Sequence, residues 1–371
     1  MGGGLVMRVR TFAVLLALPL FGAAIAPPPV SEADEATTAE TAISNPGRFD
    51  PLVDALFEDE GVGETRAVLV VENGRLVAER YAPGYTADMR YISWSMAKSI
   101  TGILIGFLVE DGRLDLDAPA PIPEWQGEGD PRAAITLRHL LQMRSGLEHT
   151  EVNDPIWDSD TNRMLFTSGT DDMAGYAIGQ PLEATPGEMY EYSSATTVIL
   201  SRIIADTLTD SDDPGERAAA YRRFAQARLL GPARTPSVYF EFDAQGTQVG
   251  GSLIHATARD WARLGEVMRT GNAVDGTPII SPEWREFMLT PAPNNPEYGG
   301  QIWLNRAGGA YDRPTLFPGS GPETVFSFVG HLGQYVVVSP DQRLTVVRLG
   351  NTPDADRRAV VDRLGRFFAA G

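Results

Sequence analysis

The stretch S-W-S-M-A-K-S-I, Ser93 to Ile100, holds the only lysine among 371 residues; every other strongly basic side chain is arginine. The residues that follow, to Glu110, include Ile100, Ile103, Leu104, Ile105, Phe107, Leu108 and Val109. A segment apolar nearly all round predicts a helix over Ser95 to Glu110, buried on most sides, with Asp111-Gly112 as its stop. Ser95 stands at the entry, and Lys98 lies on the same face one turn down. A serine hydroxyl is a weak nucleophile until a base takes its proton. Burial lowers a lysine pKa, so a neutral amine can be that base. Arginine stays protonated and cannot serve. The helix N-terminus adds N–H groups near Ser95 that suit an oxyanion. Ser-x-x-Lys by itself matches many surface helices; the lone lysine and the buried helix favour chemistry over chance.

Two further segments would complete such a site. P-G-E-M-Y-E-Y-S-S, Pro186 to Ser194, puts Tyr192 and Ser194 just before a helix. A phenol beside Lys98 can act as base or proton shuttle, although packing would explain the tyrosine if it stood alone. G-H-L-G-Q, Gly330 to Gln334, sets His331 on a strand edge between glycines that allow close approach. Alone it reads equally as a bulge with a surface histidine. The order Ser-x-x-Lys, Tyr-x-Ser, His-x-Gly carries more than any one motif.

Outward from these motifs, Thr65 to Tyr81 reads as two strands around Asn73-Gly74, a type I′ hairpin signal. From about 113 to 249 the pattern is helical. It predicts helices over Ile135–Gly146 with Thr136 as cap, over Ser194–Leu208 and over Arg217–Leu230. His255–Met268 carries Thr257 and Asp260 spaced like a capping box. Residues 324–350 read as two or three antiparallel strands turning at Pro340-Asp341, and a last helix runs from Thr352-Pro353 to Ala369. The expected fold class is α+β: a sheet from about 45–112 and 250–371, closed by both chain ends and flanked by helices, with an all-helical insertion.

The formal net charge of -18 makes nucleic acid an unsuitable partner. The absence of cysteine excludes disulfides, thiolate metal sites and a cysteine nucleophile. His139, His149, His255 and His331 have no metal-ligand spacing. Neither a metal nor a cofactor is called for. Arg8 and Arg10 precede an apolar run ending in small residues, which reads as a signal peptide over 1–26, cut after Ala24 or Ala26. A Pro-, Ala-, Glu- and Thr-rich linker spans 27–44. This implies a periplasmic or secreted protein with no stable membrane insertion after cleavage.

Together these motifs resemble the serine β-lactamase and penicillin-binding-protein superfamily, whose set is S-x-x-K, S-D-N and K-T-G. From about residue 45 to the end the chain resembles the class C-like branch, where Tyr-x-Asn is the second motif. The resemblance implies Ser95 as acylated nucleophile and Lys98 with Tyr192 as shared base and acid. It implies Ser194, His331 and Gly333 as substrate-binding residues, and the backbone N–H groups of Ser95 and Gln334 as oxyanion hole. Tyr-x-Ser with His-x-Gly is most similar to the 6-aminohexanoate-oligomer hydrolase and esterase type, and both departures weaken the expectation of β-lactam hydrolysis. The expected substrate is a small ester, amide or short peptide. The alternatives are a D-amino-acid peptidase or weak β-lactamase, and a non-catalytic module that binds peptidoglycan or another ligand. Asp171, Asp172 and Tyr176 read as loop or cap residues, and the loops Glu148–Asp172 and Asn294–Thr324 show no pattern.

Overall fold

A computed structural model describes residues 47–58, 61–310 and 314–369. The predicted signal peptide and linker lie outside the described residues. Helix α1 (Asp50–Glu58) leads into β1 (Glu64–Glu72) and β2 (Arg75–Tyr81). Asn73 and Gly74 take φ of 53° and 76°, and Glu72 pairs with Arg75, so the two-residue turn has the I′ signature its sequence predicts. The short strand β3 (Tyr91–Ile92) then precedes α2 (Ala97–Glu110). Every α2 residue from Ala97 to Leu108 is buried, as its all-round apolar sequence requires.

The middle of the chain contributes α3 (Leu137–Leu141), α4 (Asp160–Phe166), α5 (Met173–Ile178), α6 (Ser194–Leu208) and α7 (Pro214–Ala225). It is not wholly helical: β4 (Tyr239–Phe240) joins β5 (Ile254–Ala256) and β3 in a three-stranded sheet. After α8 (Ala258–Thr270) and α9 (Pro282–Leu289) come β6 (Trp303–Leu304), β7 (Phe326–Gly330), β8 (Gln334–Ser339) and β9 (Leu344–Asn351), then α10 (Arg357–Phe368).

The large sheet is antiparallel with order β2-β1-β9-β8-β7-β6, so β1 pairs along its length with β9 and the first and last described strands meet in mid-sheet. Alternation along the strands sorts side chains to two cores. Ala67, Leu69, Val336, Val338 and Val347 meet α2 and α8 on one face. Val68, Val70, Val337 and Val346 meet α1 and α10 on the other. The α+β class is the one expected: sheet, flanking helices and a largely helical insertion.

Three local expectations need correction. The helix predicted to run to Gly146 stops at Leu141, because Met143 turns left-handed (φ 57°). Arg144 N then donates to His139 O and Met143 N to Leu140 O, a Schellman ending with methionine in the usual glycine position. The helix predicted from Arg217 starts earlier, at Pro214, with Asp213 accepting from Glu216 N, and its last turn, Gln226–Leu230, widens to π geometry. The Thr257–Asp260 capping box is half formed. Thr257 Oγ1 accepts from Asp260 N, but Thr257 N donates to Ser237 Oγ, while the Asp260 carboxylate takes Ser237 and Arg263.

Candidate active site

Ser95 sits in a single 3-10 turn, Trp94–Met96, that feeds α2. The turn is anchored from behind: Ser93 N donates to Ile254 O at 2.8 Å, and Ser93 Oγ accepts from Ile254 N at 3.0 Å. The side chain of Lys98 comes from the first turn of α2 and is 1% exposed. Its Nζ lies 3.0 Å from Ser95 Oγ, 2.9 Å from Ser194 Oγ and 2.8 Å from Gly251 O. The face of the Tyr192 ring covers it, with the centroid 4.8 Å away. Burial pulls the Lys98 pKa down to about 8, against the opposing pull of the Glu151 charge. The sequence-predicted Ser95, Lys98, Tyr192 and Ser194 therefore converge on one amine.

Ser194 is the first residue of α6, whose N-cap Ser193 accepts from Thr196 N. Its hydroxyl donates to Glu151 Oε1 at 2.7 Å and its backbone N–H donates to Glu151 Oε2 at 2.7 Å. The resemblance gave Ser194 a substrate contact; here the hydroxyl is engaged between Lys98 and Glu151. Thr161 Oγ1 donates to Glu151 Oε2 at 2.9 Å, and His149 Nε2 lies 2.9 Å from the same oxygen. Burial pushes the Glu151 carboxyl up, but the bond from His149, the Lys98 charge and the bond from Ser194 outweigh it and hold it near 2. Glu151 is the member of this hydrogen-bonded cluster that sequence reading missed. It stands in a loop without periodicity, and Ser194 is its partner across 43 residues, so no local signal marks it.

The same loop is fixed by residues with bland readings. Asp160 Oδ2 accepts from Thr150 N at 2.8 Å, and Tyr176 OH donates to Asp160 Oδ1 at 2.6 Å. Asp172 caps α5 by accepting from Gly175 N, and Asp171 is exposed.

The third motif is a tight turn, His331–Gly333, between β7 and β8. Gly330 ends β7 hard against the entry to α2, since a Cβ there would lie 2.2 Å from Ser93 O. His331 is half exposed, with its ring edge-on to Trp94 at 5.5 Å and Nδ1 3.9 Å from Asp354 Oδ1. Gly330 and His331 line the cleft beside Ser95, whereas Gly333 and Gln334 are buried behind the turn. Gln334 Nε2 donates to His331 O, Leu332 O and Gly350 O. Buried Arg348 donates to Gly333 O at 2.8 Å. These two side chains stitch the turn from inside.

The cleft is about 750 Å³. Ser95, Glu151, Tyr192 and His331 line it together with Trp303, Glu191 and Arg357. Burial, then the hydrogen bond and charge of Glu183, push the Glu191 carboxyl up. Tyr192 packs against Tyr298 and Trp303, with centroids 5.8 and 5.3 Å away. The arrangement can activate a serine hydroxyl next to a water-accessible cleft large enough for a small substrate.

Residues 53–370 match the sequence profile of the Beta-lactamase family. A 6-aminohexanoate-dimer hydrolase of Paenarthrobacter ureafaciens is 27% identical over 357 residues, covering 89% of this chain and 83% of that protein. A solved hydrolase with promiscuous acyltransferase activity superposes with a TM-score of 0.63 at 16% identity, over 85% of this chain and 96% of its own. A D-stereospecific amidohydrolase from Streptomyces does so with a TM-score of 0.58 at 16% identity, over 80% and 92%. At these identities the two structures speak for the fold, and the profile, which spans nearly all of the described residues, speaks for descent: the chain belongs to the beta-lactamase family of serine hydrolases.

Proposed function

We propose that the protein is an exported serine hydrolase that cleaves an ester or amide bond through an acyl-enzyme on Ser95. The observation that carries this reading is the contact of 3.0 Å between Ser95 Oγ and the buried Lys98 Nζ. Ser95 Oγ attacks the substrate carbonyl carbon and its proton passes to Lys98. The bond to the leaving group then breaks, and the leaving oxygen or nitrogen takes a proton from the Lys98–Tyr192 pair. Water adds to the acyl-serine, the acid departs, and Ser95 is regenerated. The Ser95 N–H supplies one oxyanion donor. The other comes from the cleft-facing Gly330–His331 segment in preference to Gln334, which lies behind it.

The relationship to a 6-aminohexanoate-dimer hydrolase supports a small amide or ester as substrate. The Arg8–Ala26 segment supports export to the periplasm or the medium. A fluorophosphonate probe, with p-nitrophenyl acetate and butyrate as substrates, tests the reading. Wild type is expected to label and turn over, Ser95→Ala to do neither, and Lys98→Arg to lose on the order of a thousandfold in kcat. Equal labelling of wild type and Ser95→Ala overturns it. Stoichiometric ligand binding without turnover would mark a binding module instead.

A further inference from the structure

A neutral amine has two hydrogens and one lone pair, and Lys98 Nζ has three polar neighbours: Gly251 O, Ser194 Oγ and Ser95 Oγ. Only one allocation leaves the base aimed at the nucleophile. Gly251 O is a carbonyl and can only accept. Ser194 has a single hydrogen, and Glu151 Oε1 takes it at 2.7 Å. Ser194 Oγ therefore faces Lys98 as an acceptor. Both hydrogens of the neutral amine are then committed, and its lone pair points at Ser95 Oγ. If Ser194 were free to rotate, its O–H could donate to that lone pair and quench the base.

We propose that Glu151 is a positioning residue that acts through Ser194, fixing the direction of its hydrogen bond so that Lys98 presents its lone pair to Ser95. The inference rests on the reading of Lys98 as the base for Ser95. Glu151 is built for the task. Its two oxygens take both the N–H and the O–H of Ser194, and Thr161 with His149 holds the carboxylate from the far side. Asp160 clamps the Thr150 N–H next to it. Glu151 also lines the cleft, as the fixed negative charge closest in the hydrogen-bond chain to the amine.

Glutamine at position 151 keeps the shape and breaks this arrangement. If its oxygen stays with Ser194 N and Thr161, its amide donates to Ser194 Oγ, and the serine hydrogen is released toward Lys98. The ammonium form of Lys98 also loses its counter-charge. The titratable and charged groups around the pair are His149 and, beyond it, Asp160 on the loop side, Glu191 with Glu183 and Glu148 on the Tyr192 side, and Arg357 of α10 near Tyr192. None of them changes in the variant.

The experiment is the pH dependence of p-nitrophenyl butyrate hydrolysis by wild type, Glu151→Gln, Glu151→Asp, Ser194→Ala and the double variant Glu151→Gln/Ser194→Ala. Glu151→Gln is expected to lower the plateau kcat at least about tenfold with KM within about twofold, and to move the acid limb of the profile down by about one pH unit. Glu151→Asp, which keeps the charge, should keep the wild-type limb. In the Ser194→Ala background, adding Glu151→Gln should cost less than about threefold in kcat, because no hydroxyl remains to turn. A Glu151→Gln profile that overlays the wild-type limb, or an undiminished cost in the Ser194→Ala background, overturns the inference. Failure of the underlying reading looks different: wild type then shows no acid limb at all, or Lys98→Arg retains activity.

Discussion

Lys98 faces two demands that pull in opposite directions. As the proposed base it must be neutral to accept the Ser95 proton, yet Glu151 favours its charged form. Burial wins, and the amine titrates at about 8 instead of at an ordinary lysine value. A protonated amine has no lone pair, so activity belongs to the deprotonated form. We therefore expect kcat/KM for p-nitrophenyl butyrate to rise with pH through an apparent pKa near 8 and to level off above it. Glu151, held near 2, stays ionised throughout and contributes no limb of its own. Steady-state rates corrected for spontaneous ester hydrolysis check this; a flat profile across neutrality refutes it. This scale also separates what sequence can disclose from what it cannot. Lys98 stood out because a chain that uses arginine everywhere else kept one base able to lose its proton. Glu151 is one of 49 acidic residues, and only the folded loop shows that its oxygens meet Ser194.

Among the elements, those with strong periodicity or definite turn chemistry were legible: the hairpin, α2, α6, and the strand pair around Pro340-Asp341. Two of the three misread elements were decided by distant partners. The carbonyls of Leu140 and Leu141, which would have continued α3, accept from the side chain of Gln301, about 160 positions away. The reciprocal half of the α8 cap comes from Ser237, 20 residues upstream. The junction between the turn that carries Ser95 and β7 is another long-range contact, and it yields a sharp prediction. Gly330 touches the carbonyl of Ser93, and a methyl group there would approach that oxygen to 2.2 Å. Neither backbone can yield without moving β7 away from the turn that carries Ser95. Gly330→Ala should therefore lose on the order of a hundredfold in kcat/KM, the scale of an ångström's misplacement of a nucleophile. Its stability should fall by only about 1–3 kcal/mol, as in other overpacked sites. Activity assays beside thermal melts resolve the two; an unchanged kcat/KM would show that β7 does not set the position of Ser95.

Across the whole molecule, the sheet has two covered faces with unequal shares in the chemistry. The face under α2 and α8 carries Ser95, Lys98 and, through β5, the anchor of Ser93. The face under α1 and α10 packs those two helices over β1 and β9. There Phe368 is fully buried and stacks on Phe317 with centroids 5.5 Å apart, and neither residue lines the cleft. Phe49 and Phe367 make a second stacked pair between the N-terminal segment and α10, at 6.0 Å. Phe368→Ala should cost about 3–5 kcal/mol through lost burial and the cavity left behind. For a domain of this size, with an unfolding entropy of about 0.7 kcal/mol/K, that lowers Tm by roughly 4–7 °C. At 25 °C the folded fraction stays high, because the net stability of such domains is about 5–15 kcal/mol and the loss falls within it. Turnover per folded molecule should then match wild type, since α10 meets the cleft through Arg357, Arg358 and Val361 near its start, while Phe368 at its far end lies outside the lining. Calorimetry paired with active-site titration by the fluorophosphonate probe measures both quantities on one sample. A fall in kcat per labelled site that matched the fall in stability would show that the two faces are coupled through the sheet, and that α10 holds the nucleophile in place as well as the fold.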